Sequence, residues 1–316
     1  MDLTGIDKIS IAFYNLENFF DTYDDPNTAD DPFTPKGFMH WVKKRFENKS
    51  KKIAFAISQI GLAETGLSPV LIGLAEVENK RVIKNIIKRK PLKKLPYGYV
   101  HFESADRRGM DVALLYRKDL VQILQSKVYP LTLYNDAGEA YNTRDILYVK
   151  TKLFGETIHI IINHWPSRRE GDFESDYKRY RAAEKLNEIV DYIYYEQPEA
   201  KFVLMGDFNT DPDDAHLIMF NKRFFNPALN IYQNNQGSLN HQKQWHLFDQ
   251  IMFSRNFLDQ GLSFDSFHIF KPSFLKVWQG KHKNQPFRTY RGRHYQAGYS
   301  DHFPVYALLI PNTNIN

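Results

Sequence analysis

Short apolar runs recur along this chain of 316 residues, and nearly every one starts or stops beside a residue able to bind a metal or move a proton. The stretch K-F-V-L-M-G-D-F-N-T-D-P, residues 201–212, is the sharpest case. Phe202, Val203, Leu204 and Met205 read as a buried strand, Gly206 ends the run, and Asp207 and Asn209 follow two residues apart. A charge buried without a partner costs several kcal/mol. The two polar side chains therefore either sit in a turn open to water or meet partners from elsewhere in the chain.

The other runs favour partners. Ile9 to Tyr14 alternates like a strand and ends at Asn15, Val70 to Ala75 ends at Glu76, and Val112 to Tyr116 follows Asp111. Leu147–Phe154 and Thr157–Ile162 read as a hairpin about F-G-E-T whose second strand ends in Asn163 and His164. Leu247 to Phe253 carries Asp249, and Phe303 to Ile310 follows Asp301 and His302. Apolar residues at helical spacing predict helices over Lys51–Ile60 and Asp176–Tyr195. Strands joined by helices in some places and hairpins in others predict mixed sheets with helices outside. No Pro/Gly/Ser-rich linker or internal repeat divides the chain, so residues 1–316 are expected to form one domain.

If these strands share sheets, their polar ends converge on one cleft. Crowded carboxylates repel and stay ionised only where a cation compensates them. There is no cysteine, which excludes thiolate metal sites, disulfides and Cys nucleophiles. Asp, Glu and Asn oxygens favour a hard ion, Mg²⁺ or Mn²⁺, over zinc.

Six stretches, F-Y-N-L-E-N-F-F, L-A-E-V-E, N-H-W-P-S-R, G-D-F-N, F-D-Q-I and Y-S-D-H-F-P-V, fall in that order from Asn15 to Val305. In residues and order they resemble the endonuclease/exonuclease/phosphatase superfamily, which includes deoxyribonuclease I-like nucleases, sphingomyelinases and inositol-polyphosphate phosphatases. The resemblance implies a four-layered α/β sandwich, two mixed β-sheets face to face with helices outside, and hydrolysis of phosphate esters. It implies Glu76 as the main metal carboxylate with Asn15 and Asp301 beside it, and Asp207 and Asn209 opposite, orienting the attacking water or holding a second ion. His302 would hydrogen-bond the scissile phosphate, oriented by Asp249, and His164 would be a second catalytic histidine. Arg168 and Arg169, after H-W-P-S, and Arg291 are candidate phosphate contacts.

The chain departs from that pattern at Ala75, where many members carry Gln. Asp111 is a candidate partner for His164. Glu17 and Glu78 are read as pointing to the opposite strand face or into a loop, and are set aside. His40, His101, His159, His216, His241, His246, His268 and His282 have no motif context and are read as surface or core residues.

Net charge is +5 with a pI near 9. Basic residues crowd Lys43–Lys52 and Lys80–Lys94, which read as solvated helix faces, and Lys281–Arg293, which is interleaved with Tyr290, His294 and Tyr295 as candidate stacking groups. That third patch abuts Ser300–His302 and favours a nucleic-acid phosphodiester as substrate, cut as an endonuclease or exonuclease. The alternative is a phosphatase or phosphodiesterase of small molecules: nucleotides, inositol phosphates or phospholipid headgroups. A binding module without turnover is disfavoured, because it has no physical need for so costly a cluster of charge. The N-terminus lacks a signal-peptide pattern and no apolar stretch is long enough to span a membrane, so a cytoplasmic location is expected.

Overall fold

The computed structural model describes residues 5–134, 137–168, 172–259 and 261–311. Two six-stranded sheets form its frame. In the first, the strands lie in the order Ser263–Ile269, Val305–Ile310, Ile9–Phe19, Leu71–Val77, Asp111–Arg117, Tyr97–His101. In the second, the order is Phe224–Phe225, Asp249–Ser254, Lys201–Asp207, Glu156–His164, Ile146–Leu153, Val121–Tyr129.

Each sheet has one parallel pair at its centre, and its other neighbours are antiparallel. In the first sheet that pair is Ile9–Phe19 with Leu71–Val77; in the second it is Lys201–Asp207 with Glu156–His164. Parallel neighbours send both C-terminal ends to one edge, and antiparallel neighbours bring their N-terminal ends there. Asn15 and Glu76 therefore leave one sheet where His164 and Asp207 leave the other. Asp249 opens its strand at the same edge, paired with Asp207, and His302 lies just before Val305–Ile310.

The continuous apolar runs have a simple cause: both faces of these strands are covered. Val203 and Met205 join the core between the sheets, while Phe202 and Leu204 pack in a second core with Ala182, Ala183, Leu186, Ile189, Val190 and Ile193 of the helix Asp172–Glu196. Truncating one such side chain, Leu204→Ala, is expected to cost roughly 2–5 kcal/mol. On the first sheet, the helices Lys43–Gln59 and Lys80–Ile87 bury Phe46, Ile53 and Ile57 and Val82, Ile83 and Ile86. Helices thus lie outside two facing sheets, and the chain forms the expected four-layered α/β sandwich.

Three sequence expectations shift. Gly206 lies inside its strand, because a Cβ there would stand 2.4 Å from the Asn163 carbonyl oxygen of the neighbouring strand. The first long helix starts at Lys43, eight residues before the predicted start, since its early turns carry Phe46 as their only large apolar residue. Most of its lysines lie on an open face, as do those of Lys80–Ile87, but Lys49 is fully buried.

Candidate active site

Beyond the Asn15–Ala75 pairing the two parallel strands fall out of step, and pairing resumes only at Phe19–Val77. Leu16, Glu17 and Asn18 on one strand thus face the single residue Glu76 on the other. Glu17, Asn18 and Glu76 all take left-handed backbone, with φ of 51°, 46° and 57°. Such conformations cost on the order of 1 kcal/mol or more outside glycine, and bulges of this kind re-aim side chains. Here the bulge lets the Asn18 N–H donate to Glu76 Oε2, which holds the carboxylate at the strand edge. Burial pushes the Glu76 carboxyl up, but Arg108 and that N–H outweigh it and keep Glu76 below the usual carboxylate range.

Asp207 is the hinge between the sheets. Its Oδ2 accepts from Asn15 Nδ2 at 2.9 Å and its Oδ1 from the Asn209 N–H at 2.9 Å. His164 Nε2 lies 3.8 Å and His302 Nε2 4.0 Å from the same Oδ2. Burial, with Asp249 nearby, pushes its carboxyl up to about 7 against the pull of His302 and these two donors. Asn209, at φ 50°, donates to the Trp165 carbonyl at 2.9 Å, a posture asparagine tolerates. The side chains in the opening stretch are therefore held by partners and buried, and Asp207 and Asn209 do not lie in a solvated turn.

His302 and Asp249 form the expected pair: Nδ1 to Oδ2 is 2.6 Å, and Ser238 Oγ donates to the same oxygen. Burial opposes a charged imidazole, but Asp249 outweighs it, with Asp207 and Asp301 adding to the effect, and His302 lies well above its usual value. Ser300 Oγ donates to the Asn15 carbonyl at 2.7 Å and accepts the His302 N–H at 3.1 Å, fixing this loop on the first sheet. His164 is the opposite case. Its Nε2 stands 3.9 Å from Glu76 Oε1, its Nδ1 has no partner among the described residues, and burial followed by Arg144 drives it well below its usual value.

Several expectations are corrected. Asp111 does not reach His164; its carboxylate bonds His101 Nε2 at 3.1 Å and Ser104. Arg168 turns its fork on the adjacent loop, to the Asn209 carbonyl at 3.0 Å and Thr210 Oγ1 at 3.3 Å, and lies over Phe248. Arg169 falls outside the described residues. Arg291 is half-buried and makes no ion pair among the described residues. Tyr290 is core, bonded to the Met39 carbonyl, and half-buried Tyr295 packs against it and under Arg45.

The residues that sequence reasoning missed stand behind Asp301. Arg288 Nη2 donates to Asp301 Oδ2 at 2.8 Å and its Nε to Glu17 Oε1 at 3.1 Å. Glu17 also accepts the Thr289 N–H, and buried Lys49 joins its carbonyl (2.6 Å) to Thr289 Oγ1 (2.7 Å). Burial pushes Glu17 up to about 7 and Lys49 down to about 8. The only sequence hint was an E-N-F-F motif that places Glu17 two residues past Asn15.

The donor chemistry fits a hard divalent cation. Among the described residues Glu76 Oε1 makes no hydrogen bond, and Asp301 Oδ1 stands 3.9 Å from His302 Nε2 while Arg288 holds the other oxygen. Asp301 itself is held low, since Arg288 and His302 outweigh its burial. Asn15 Oδ1 accepts the Glu17 N–H at 2.9 Å, so only its second lone pair is available. Asp207, Asp249 and His302 also bring ligand atoms within 4.8 Å of one another. Two of those three engage each other in the 2.6 Å bond, which makes that trio the poorer metal cage.

A family model described as Endonuclease/Exonuclease/phosphatase family matches residues 10–310. Among solved structures, an endonuclease/exonuclease/phosphatase family protein from Bacteroides thetaiotaomicron superposes with a TM-score of 0.62 at 16% identity, covering 97% of this chain and 99% of that one. A mannosyl-6-phosphatase from the same organism gives 0.61 at 16% identity, covering 96% and 99%. TDP2 of D. rerio, complexed with a single-strand DNA product, gives 0.57 at 14% identity, covering 96% and 98%. No curated protein matches the sequence. The chain belongs to the endonuclease/exonuclease/phosphatase family, hydrolases that act on phosphate esters.

Proposed function

We propose that this chain is a Mg²⁺-dependent phosphodiesterase of nucleic acid, an endonuclease or exonuclease. The observation that carries the choice of substrate is charge: between Asp265 and Asp301 lie seven Lys and Arg and no Asp or Glu, and this segment runs directly into His302. Polyanions are drawn to such a surface. Enzymes of this family generally depend on a divalent metal. Glu76 and Asp301, with Asn15, would hold the ion, which when bound neutralises charge on the phosphate and the leaving oxygen. His302, charged and oriented by Asp249, donates from Nε2 to a non-bridging phosphate oxygen. Asp207, aimed by Asn15 and the Asn209 N–H, takes the proton of the attacking water. His164 is neutral; its Nε2 faces two carboxylates while Nδ1 has no partner among the described residues, which supports a proton on Nε2, available as a second donor.

A second reading, a phosphatase of small molecules, is favoured by a cavity of about 850 Å³ lined by Arg107, Arg108, Arg144 and Ser167, close to His164 and of a size suited to a metabolite. Turnover of plasmid, single-stranded oligonucleotide, nucleotide, inositol phosphate and sugar phosphate, with Mg²⁺ and with EDTA, separates the two. Cleavage of polynucleotide in Mg²⁺, abolished by EDTA, is expected. Turnover confined to small esters would establish the second reading, and full activity in EDTA would overturn the metal.

A further inference from the structure

We infer that the loop Leu275–Phe287 is a stacking platform for an unpaired stretch of nucleic acid, with Trp278 as the stacking face and Lys281 and Lys283 as its phosphate contacts. This rests on the nucleic-acid reading above. Trp278 is 75% exposed, whereas Trp41 and Trp165 are each at 1%. An indole normally buries much of its 150–250 Å² of contact surface, so one left in water on an ordered loop calls for a partner.

The loop is built, and it is joined to the site. Lys276 bridges Pro286, the Val277 N–H donates to the Gln285 carbonyl at 2.9 Å, and the Phe287 N–H donates to that of Leu275 at 2.8 Å. His282 Nδ1 meets Gln285 Oε1 at 2.8 Å, and Gln285 Nε2 donates to Asn240 Oδ1 at 2.7 Å. Leu239, next to Asn240, forms a bridge with His302. The loop that carries Trp278 is thus tied, through Asn240 and Leu239, to the segment of His302. Lys281 and Lys283 are exposed and make no ion pair among the described residues.

A ligand matching this surface alternates negative charge with flat aromatic faces. An unpaired strand does so, whereas a duplex hides its base faces. A lipid surface would call for several apolar side chains at the tip, but the tip reads V-W-Q-G-K-H-K.

The test compares wild type with Trp278→Ala, Trp278→Phe and the double variant Lys281→Ala/Lys283→Ala. The substrates are a single-stranded oligonucleotide, its duplex and a dinucleotide, and phosphatidylserine vesicles serve as a binding control. Trp278→Ala should raise KM for the single strand about 5- to 100-fold, with kcat on the dinucleotide unchanged. Trp278→Phe should recover most of the loss, and the lysine variant should flatten the salt dependence of binding. Oligonucleotide cleavage with an unchanged KM in Trp278→Ala would overturn the platform and leave the nuclease reading standing. Turnover of small esters with no cleavage of any nucleic acid would overturn both. Indole fluorescence that responds to vesicles and not to the single strand would assign the loop to a membrane.

Discussion

His302 and His164 approach the same oxygen of Asp207, at 4.0 and 3.8 Å, yet they differ in charge state. His302 has a buried carboxylate on Nδ1 and Asp301 beside it, so the imidazolium is held on. His164 has no partner on Nδ1 among the described residues and two arginines, Arg144 and Arg108, nearby, so burial wins and the ring is neutral. The difference lies in the second partner and not in depth, since both rings are largely enclosed. One cleft thereby holds a charged donor, a neutral donor and, between them, a carboxylate near its own titration point.

Removing that shared carboxylate should have the largest effect. Asp207→Ala and Asp207→Asn are both expected to lower single-turnover rates toward the upper end of 10²–10⁴-fold, with melting temperature little changed in the isosteric Asn variant. Substrate affinity should hold or tighten, because a repelling charge is gone. A variant keeping a tenth of wild-type rate would mean that Asp207 does not handle the water proton.

The two histidines should then part company. His302→Ala is expected to cost on the order of 10²–10⁴ in kcat, and adding Asp249→Asn should cost little more, because the two act as one unit. His164→Ala, which removes a neutral donor to a charged phosphate, should cost only about 10- to 100-fold. Glutamine discriminates further: a neutral donor restores much of the rate at 164 and little at 302. Equal rescue at both positions would break the comparison.

Asp301 tests the charged side of the cleft from behind. Arg288→Gln unties it from Glu17 while leaving the proposed ligands Glu76, Asp301 and Asn15 in place. Outer partners of metal ligands are commonly worth 10–100-fold in metal affinity, and a loss of that order is expected in Mn²⁺ binding followed by magnetic resonance. Glu17→Gln should reproduce it more weakly, since the Thr289 N–H can still be accepted. Metal affinity unchanged in both would reduce the clamp to a packing device.

Much of this was legible because strand ends announce themselves. Asn15, Glu76, His164, Asp207, Asp249 and His302 each stand at or beside the end of an apolar run, and a mixed sheet gathers such ends. What stayed hidden depends on three-dimensional partners. Arg288 belongs to the basic run Lys281–Arg293, and only the fold brings Glu17, 271 positions away, to its Nε. Lys49 sat in a basic run whose other members are mostly solvated, and nothing in local composition separates the one that turns inward. Tyr290 and Tyr295 lie nearer Ser300–His302 in sequence than Trp278 does, but proximity in sequence says nothing of which aromatic face is free.

The smallest effect isolates burial itself. His159 shares a strand with His164 but lies away from the cleft, with Tyr148 Oη at 2.9 Å from its Nδ1 and the Phe202 ring 5.1 Å away. Burial, with Lys150 adding, takes it from 6.5 down to about 4. Between those values the unfolded chain binds the proton that the folded one refuses, so stability rises with pH across that window. The contribution is complete above pH 6.5 and is lost as pH falls toward 4. His159→Gln, which cannot titrate, should therefore gain on wild type by on the order of 1–2 kcal/mol over that interval in denaturant titrations, and run parallel to it above pH 7. Parallel curves down to pH 4 would show that depth alone does not neutralise a histidine on this strand. The neutral state of His164 would then fall to Arg144 and Arg108, and replacing those arginines would be the way to charge it.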